Sequence, residues 1–178
     1  MTTPTLPMLT LREPTEADIP ALSILSIAAF VAKFWTLYQP EDLLPFLAAT
    51  HSEPALASAL ADPNAVYQVA ERGGLLVGWC KLSVLPGFPE HARGQRPMEL
   101  KQLYTAPNAQ GAGIGAALMD WAMADLAARG ADEVQLSVWR HNPDAQRFYA
   151  RYGFAKVAEV TFRVGAQLDE EDLFARMV

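Results

Sequence analysis

The sequence predicts a mixed α/β fold. Apolar and polar residues alternate over 134–138, as they do in a half-buried strand. By contrast, Ile114, Leu118, Ala122 and Leu126 recur every four positions, which is typical of one face of a helix. Pairs of strand patterns lie near both ends of the chain, as in hairpins. Because helices and strands are interspersed in this way, we expect a mixed sheet flanked by helices.

Length and composition favour one globular domain, residues 1–178. Hydrophobic residues make up 51% of the chain and charged residues 19%, which is enough apolar material to form a core. The single cysteine, Cys80, lies in an apolar run, which predicts a packed core thiol. The three histidines show no close paired spacing, so we expect no metal site.

Charge and hydropathy bear on the partners of the protein. The net charge of -6 disfavours nucleic acid, because phosphate contacts need clustered Lys and Arg, and it suits a cationic or neutral substrate. No stretch approaches the ~20 apolar residues of a membrane span, and residues 1–5 lack the start of a signal peptide. We therefore expect a cytoplasmic protein without a membrane partner, and the oligomeric state stays open, a homodimer included.

The first half of the chain begins with a strand and continues with helices and a hairpin. Three helices each begin at a residue that favours a helix start, and these residues are Thr15, Pro40 and Ser52. Strands are predicted at 9–12, 65–71 and 75–84, the last two joined by the turn 72–74.

The second half alternates strands with helices after a loop at 85–97 that is rich in Pro and Gly. One helix begins near Gly113 and ends before Gly130, and the next is capped by Asn142 and closed by Gly153. The predicted strands are 98–105, 134–138, 154–164 and 173–178.

A glycine-containing loop, residues 110–116, lies between a strand and an amphipathic helix. Such a loop presents backbone N–H groups without side chains in the way, and the helix adds partial positive charge, so a phosphate or pyrophosphate binds readily. The alternative is a tight strand-to-helix turn, but glycines at a helix start disfavour the helix. The pattern therefore favours an anion site.

The identity of the phosphate compound is a separate question. Gly111, Gly113 and Ala116 satisfy the dinucleotide pattern G-x-G-x-x-G/A. That pattern follows its strand directly and is answered by an acidic residue about 20 positions on, and neither condition holds here. The Gly-Lys-Ser/Thr of a Walker loop is absent from the sequence. A ligand that contains a pyrophosphate therefore remains the prediction for this loop, whereas a nicotinamide dinucleotide and ATP are disfavoured.

Two motifs carry a resemblance to the GNAT superfamily of acetyl-CoA-dependent N-acetyltransferases. Gln110, Gly113 and Gly115 match its coenzyme A motif, Gln or Arg, two residues, Gly, one residue, then Gly or Ala. The second motif, Asn-x-x-Ala-x-x-Phe-Tyr-x-x-x-Gly-Phe, is matched by Asn142, Ala145, Phe148, Tyr149, Gly153 and Phe154. Within the superfamily, 138–139 and 162–165 look like bacterial spermidine/spermine N-acetyltransferases.

The resemblance implies a GNAT-like fold with a splayed central sheet, and acetyl-CoA as co-substrate. Backbone groups of Leu103 and Thr105 would pair with the pantetheine, and an N–H near Tyr104 would polarise the thioester carbonyl. Asn142 would approach the cofactor from the following helix. The loop residues expected at the cofactor are Gln110, Gly111, Ala112, Gly113, Ile114, Gly115 and Ala116.

Two residues are expected to carry the proton transfers. Tyr149 matches the family tyrosine that protonates the departing thiolate, although an aromatic core stripe has the same spacing. Glu99 lies 11 residues before Gln110, where some members carry a glutamate base, and partial burial would raise its pKa. The alternative is that Glu99 is exposed to solvent and that an ordered water molecule acts as the base.

The expected acceptor is a primary amine of a small molecule, a polyamine first. The alternatives are a protein or peptide N-terminus or lysine, a non-catalytic acyl-CoA-binding module, and a nucleotide-binding protein. Aromatic residues in the first helices, followed by two carboxylates, fit either a substrate pocket or the core. These residues are Phe30, Phe34, Trp35, Tyr38, Glu41 and Asp42.

Overall fold

A computed structural model of the chain describes residues 7–178. The strands are β1 (Leu9–Arg12), β2 (Ala65–Arg72), β3 (Leu75–Ser83), β4 (Pro97–Thr105), β5 (Glu133–Trp139), β6 (Ala155–Val164) and β7 (Gln167–Met177). The helices are α1 (Ile19–Phe34), α2 (Pro40–His51), α3 (Glu53–Leu60), α4 (Ile114–Ala128) and α5 (Pro143–Arg151). The predicted mixed α/β fold is confirmed.

All seven strands form one sheet in the order β1-β2-β3-β4-β5-β7-β6. Neighbouring strands are antiparallel except for β4 and β5, which run parallel and are connected through α4. Between β4 and β5 only three residue pairs form, from Pro97 with Glu133 to Glu99 with Gln135. Beyond Glu99 the two strands separate, which leaves a gap in the middle of the sheet.

Helices cover both faces of the sheet because successive side chains of a strand point to opposite faces. On one face, Val69 and Trp79 pack with Leu22 of α1 and Leu56 of α3. On the other face, a larger core contains α4 and the buried Cys80, as the sequence predicted for this thiol. Each face of the central strands is therefore sealed by its own apolar layer.

The last strand is longer than the sequence indicated. We expected it from residue 173, whereas β7 begins at Gln167 and pairs with β6 along the hairpin. Residues 167–172 are mostly polar, which hid the strand from a search for apolar alternation. Within this stretch Asp169 and Asp172 are buried, so the structure places carboxylates where a strand usually carries apolar side chains.

One helix corrects an expectation drawn from hydropathy. Residues Glu16–Phe34 have a mean hydropathy of 1.6 and, by length and composition, are long and apolar enough to cross a membrane. In the structure this segment buries Leu22, Leu25 and Phe30 in the apolar clusters of the fold. A core helix meets the same hydropathy criterion. Residues 1–5, on which the signal-peptide argument rested, lie outside the described residues, and the cytoplasmic location stays a prediction.

Gly78 of β3 sets how closely α4 approaches the sheet. A Cβ atom at this position would lie 2.7 Å from Cγ2 of Ile114 and 2.9 Å from the carbonyl oxygen of Tyr104. We therefore expect Gly78→Ala to lower the free energy of unfolding by about 1–3 kcal/mol through overpacking, as measured by chemical denaturation. A variant as stable as the wild type would contradict this close contact.

Candidate active site

A cavity of about 440 Å³ lies beside the gap between β4 and β5. Part of its wall is aromatic, with rings from Phe30, Phe34, Tyr38, Phe46, Trp139 and Phe162. The polar part of the wall includes Thr50, Lys81, Lys101, Gln102, Ser137, Asp169 and Glu171. Leu103, Tyr104 and Tyr149 also line it, so the cavity reaches the strand and the helix that carry the sequence motifs.

The aromatic residues of the first helices differ in whether they pack in the core, line the cavity or face solvent. Phe30 is only 4% exposed and packs in the core, yet it also lines the cavity with Phe34 and Tyr38. Trp35 is 62% exposed and does not line the cavity. Asp42, instead of facing the cavity, accepts a hydrogen bond from the N–H of Ala166 (2.8 Å) and so holds the turn between β6 and β7.

A larger groove, about 1140 Å³, lies elsewhere between the start of α1, α3 and β2. It is open to solvent, and neither the β4–β5 gap nor Tyr149 contributes to its lining. The smaller cavity is therefore the candidate active site, because it joins polar groups to the point where the sheet opens.

The glycine loop has the geometry of an anion site. Gly111 (φ +78°) and Gly113 (φ +77°) are left-handed, and a Cβ atom at either position would meet nothing within 4 Å. Gly113 is the N-cap of α4, and the first turn of that helix carries no acidic side chain. The free N–H groups at the helix start are therefore open to an anionic ligand.

A basic residue that the sequence analysis did not single out lies beside this loop. Nη2 of Arg72, at the end of β2, is 3.5 Å from the carbonyl oxygen of Ala112. The guanidinium adds positive charge next to the helix terminus, which favours an anion there. Only the fold reveals this contact, because 40 residues separate the two positions in the sequence.

The backbone of β4 presents hydrogen-bonding groups to the gap. The N–H of Ala106 donates to the carbonyl of Val77 on β3 (2.9 Å). Backbone groups alternate in direction along a strand, so the N–H of Tyr104 also points to β3, whereas those of Leu103 and Thr105 point into the gap. A donor to the thioester carbonyl near Tyr104 must therefore come from one of these two neighbours.

Tyr149 on α5 combines core packing with access to the cavity. Its ring contacts Phe148 and Phe154 with centroids 5.3 and 6.2 Å away, and the side chain also lines the cavity. Burial raises the pKa of Tyr149 well above its ordinary value, with smaller contributions from Tyr104 and Cys80. The phenol is therefore protonated at neutral pH and can donate. Asn142 caps this helix, its Oδ1 accepting from the N–H of Ala145 (3.3 Å).

Glu99 is buried near the site but does not line the cavity. It is 4% exposed, and Nζ of Lys101 lies 3.4 and 3.3 Å from its two carboxylate oxygens. Gly87 covers it from the other side, since a Cβ atom there would lie 2.5 Å from Oε1 of Glu99. Burial raises the pKa of Glu99, and the nearby Lys101 and Lys81 lower it.

Two carboxylates of the cavity wall, Asp169 and Glu171, were not predicted from the sequence. Both lie on β7, two positions apart, and so point to the same face of the sheet. Asp169 accepts hydrogen bonds from the hydroxyl of Tyr38 and from Nε2 of Gln167 (2.6 Å). Acidic residues at i and i+2 in a strand point to the same face, and this spacing was the signal for the pair. It could not be interpreted from the sequence because this part of β7 was not predicted to be a strand.

Comparison with known proteins fits this arrangement. Residues 31–154 match the acetyltransferase (GNAT) family. The chain belongs to this family. It is therefore an acyltransferase with an N-acetyltransferase fold, and acetyl-CoA is its co-substrate, as the sequence predicted.

The relatives of this GNAT chain include an N-acetyltransferase without a described substrate and one with a described substrate. An uncharacterised N-acetyltransferase of Mycobacterium tuberculosis is 36% identical over 138 residues, which cover 77% of this chain and 83% of that protein. An aminoalkylphosphonate N-acetyltransferase of Salmonella typhimurium is 35% identical over 98 residues, 55% of this chain and 62% of that protein.

A solved GNAT structure supports the fold. The PaiA N-acetyltransferase of Thermoplasma acidophilum, determined in complex with coenzyme A, superposes with a TM-score of 0.77. It shares 17% sequence identity, over 96% of this chain and 99% of that chain. At this identity the likeness concerns the fold alone.

The site of this GNAT enzyme fits acetyl-CoA by two features of its own structure. The glycine loop and the start of α4 offer free N–H groups to a pyrophosphate. The unpaired backbone of β4 at Leu103 and Thr105 offers hydrogen bonds to the amide groups of the pantetheine. When bound, the co-substrate supplies an activated acetyl thioester.

The loop gives a prediction with a matched control. Gly113→Leu would place a side chain in the open space in front of the N–H groups, and we expect acetyl-CoA affinity to fall about tenfold or more, the equivalent of one charge-assisted hydrogen bond of about 1.5–3 kcal/mol. Gly74→Leu is the control, because Gly74 has a similar φ of +79° and equally open surroundings in the β2–β3 turn. Isothermal titration should show weakened binding only for the first variant, and equal affinities would exclude the loop as the pyrophosphate site.

Proposed function

We propose that the protein acetylates a primary amine of a small cationic molecule, with polyamines as the first candidates. The observation that carries this proposal is the cavity at the β4–β5 gap, whose wall combines aromatic rings with the carboxylates of Asp169 and Glu171. The likeness at 138–139 and 162–165 to spermidine/spermine N-acetyltransferases supports the same acceptor class.

Physical chemistry supports a cation in this cavity. Aromatic faces attract ammonium groups through the ring quadrupole, and the rings of Phe34 and Trp139 meet edge to face with centroids 5.9 Å apart. Carboxylates add charge attraction that is stronger in a cavity than in water, because the local dielectric is lower. The net charge of -6 favours the approach of such a cation.

The proposed roles of the site residues follow from their positions. Leu103 or Thr105 supplies the N–H that polarises the thioester carbonyl, and Tyr149 donates a proton to the departing sulfur. The loop residues Gln110 to Ala116 hold the pyrophosphate, with Asn142 on the following helix nearby. A buried carboxylate takes the proton from the acceptor, and Glu99 is the candidate named by the motif spacing.

An amine panel tests the acceptor class. With acetyl-CoA present, we expect release of coenzyme A thiol at a higher kcat/KM for spermidine than for a monoamine of similar length, amino acids or peptide N-termini. The second ammonium of spermidine can contact a cavity carboxylate, Asp169 or Glu171, and a monoamine has no group to make this contact. Equal activity across the panel would contradict the polyamine proposal. If no amine led to thiol release, the proposed amine acetylation would be contradicted.

Tyr149→Phe tests the acid. The variant loses only a hydroxyl, so the ring should still pack and the melting temperature should change little. We expect kcat to fall by roughly 10²–10⁴-fold, while the Kd for acetyl-CoA changes much less, because proton donation matters in the transition state.

Tyr152→Phe is the matched control at the residue that follows this helix. The hydroxyl of Tyr152 lies within hydrogen-bond distance of Oδ1 of Asp120 (3.0 Å) and of the carbonyl oxygen of Ala116 (3.3 Å), and Tyr152 does not line the cavity. Its removal should cost about 0.5–1.5 kcal/mol of stability and leave kcat close to wild type. A Tyr149→Phe variant with near-normal kcat and a lowered melting temperature would support the core role instead.

A further inference from the structure

We infer that Glu171, on the cavity-facing side of β7, is the general base that takes the proton from the acceptor amine. The inference rests on the proposed function and names a residue for it that lies outside both sequence motifs.

The sheet places Glu171 where the acceptor must enter. It stands opposite Trp139, the last residue of β5, and thus beside the open end of the β4–β5 gap. Its side chain lines the cavity. The next residue, Asp172, points to the other face, where it binds Arg140 (3.1 Å) and Lys156 (2.9 Å). Because side chains alternate between the two faces along β7, Asp172 forms structural ion pairs on one face while Glu171 faces the cavity on the other.

Glu171 has fewer partners than the other two carboxylates near the cavity, its one side-chain hydrogen bond coming from Ser137 among the described residues. Both oxygens of Asp169 are occupied, by Tyr38 and Gln167. Both oxygens of Glu99 lie against Lys101, and Glu99 does not reach the cavity wall. Over residues 7–178, no Lys, Arg or His lies within 4.0 Å of the Glu171 carboxylate. An ammonium group of the acceptor can therefore take this place.

The groups that act on Glu171 come from β4, β5, β7 and the segment that follows α1, whereas β6 places Val160 opposite it. Burial raises its pKa, and the charges of Asp169 on β7 and Glu99 on β4 act in the same direction. The Ser137 hydroxyl on β5 and the Lys101 ammonium on β4 lower it. The hydroxyls of Tyr38 and Tyr104 also lie close enough to feel its charge. The net effect is a pKa above the ordinary glutamate value of 4.5, which improves a carboxylate as a base.

The acetyl transfer needs no groups other than Glu171, Tyr149, the two substrates and solvent. The carboxylate of Glu171 takes one proton from R–NH₃⁺, and the freed lone pair of the nitrogen forms the C–N bond with the acetyl carbon. The C–S bond breaks, and its electron pair stays on sulfur, which takes a proton from Tyr149. The nitrogen loses its second proton to solvent as the amide forms, and solvent returns Tyr149 and Glu171 to their starting states. Overall, one proton is released for each acetyl group transferred.

The pH profile tests the assignment. Because the base acts when ionised, kcat/KM rises with pH as Glu171 loses its proton, and the raised pKa places this acidic limb above pH 4.5. Glu171→Gln keeps the size of the side chain, and we expect it to lower kcat/KM by roughly 10²–10⁴-fold and to remove the limb. Glu171→Asp should retain the limb at a reduced rate.

Two control variants separate Glu171 from its surroundings. Glu170→Gln makes the same change one residue earlier, where the side chain is 62% exposed and binds Arg140 (3.0 Å), and it should leave the rate and the profile unchanged. Glu99→Gln tests the competing base, and it should keep the acidic limb if Glu171 is responsible.

The outcomes are distinct from failure of the proposed function. If the wild type acetylates amines and a folded Glu171→Gln variant keeps its limb, the inference is overturned while the function stands. A rise in KM with an unchanged pH profile would also overturn it, because Glu171 would then only bind the cation. If Glu171→Gln fails to fold, the Glu171→Asp profile decides, and loss of its acidic limb would contradict the assignment.

Discussion

Where β4 and β5 stop pairing after Glu99, the backbone of β4 stays paired with β3 on one side and has no neighbouring strand on the other. Unpaired N–H and C=O groups inside a protein are costly unless a partner satisfies them. Here solvent or a bound ligand must serve as that partner, which is why we propose that the pantetheine pairs with Leu103 and Thr105. The position of α4, of Tyr149 and of the cavity can each be understood from this one interruption of the sheet.

Helix α4 links the two separated strands and brings its N-terminus to one end of the gap. Gly78 permits the close approach of this helix to β3 and β4, and the left-handed Gly111 and Gly113 turn the chain without placing side chains before the free N–H groups. The proposed anion site and the strand separation are thus parts of a single arrangement, since both belong to the same β4–α4–β5 crossover.

The cavity wall places charge where the fold usually places apolar side chains. Asp169 is 7% exposed, and the pKa values of Glu99 and Glu171 are both raised by burial. Buried carboxylates cost stability unless they are hydrogen-bonded or paired. Asp169 is hydrogen-bonded to Tyr38 and Glu99 is paired with Lys101, whereas Glu171 makes no such ion pair among the described residues, which is the difference on which the proposed binding of a cationic acceptor rests.

The sequence by itself determined the order of the elements, the glycine loop and the family, because these depend on short-range patterns and fixed motif spacings. It also named Tyr149, which the structure places at the cavity. Only the tertiary structure showed that Glu99 is covered by Gly87 and Lys101 while Glu171 faces the cavity. The reason is physical, because strand register and packing between residues far apart in the chain decide which carboxylate reaches a cavity. The polar start of β7 shows no apolar alternation, so its sequence indicates neither the register nor the packing of this strand.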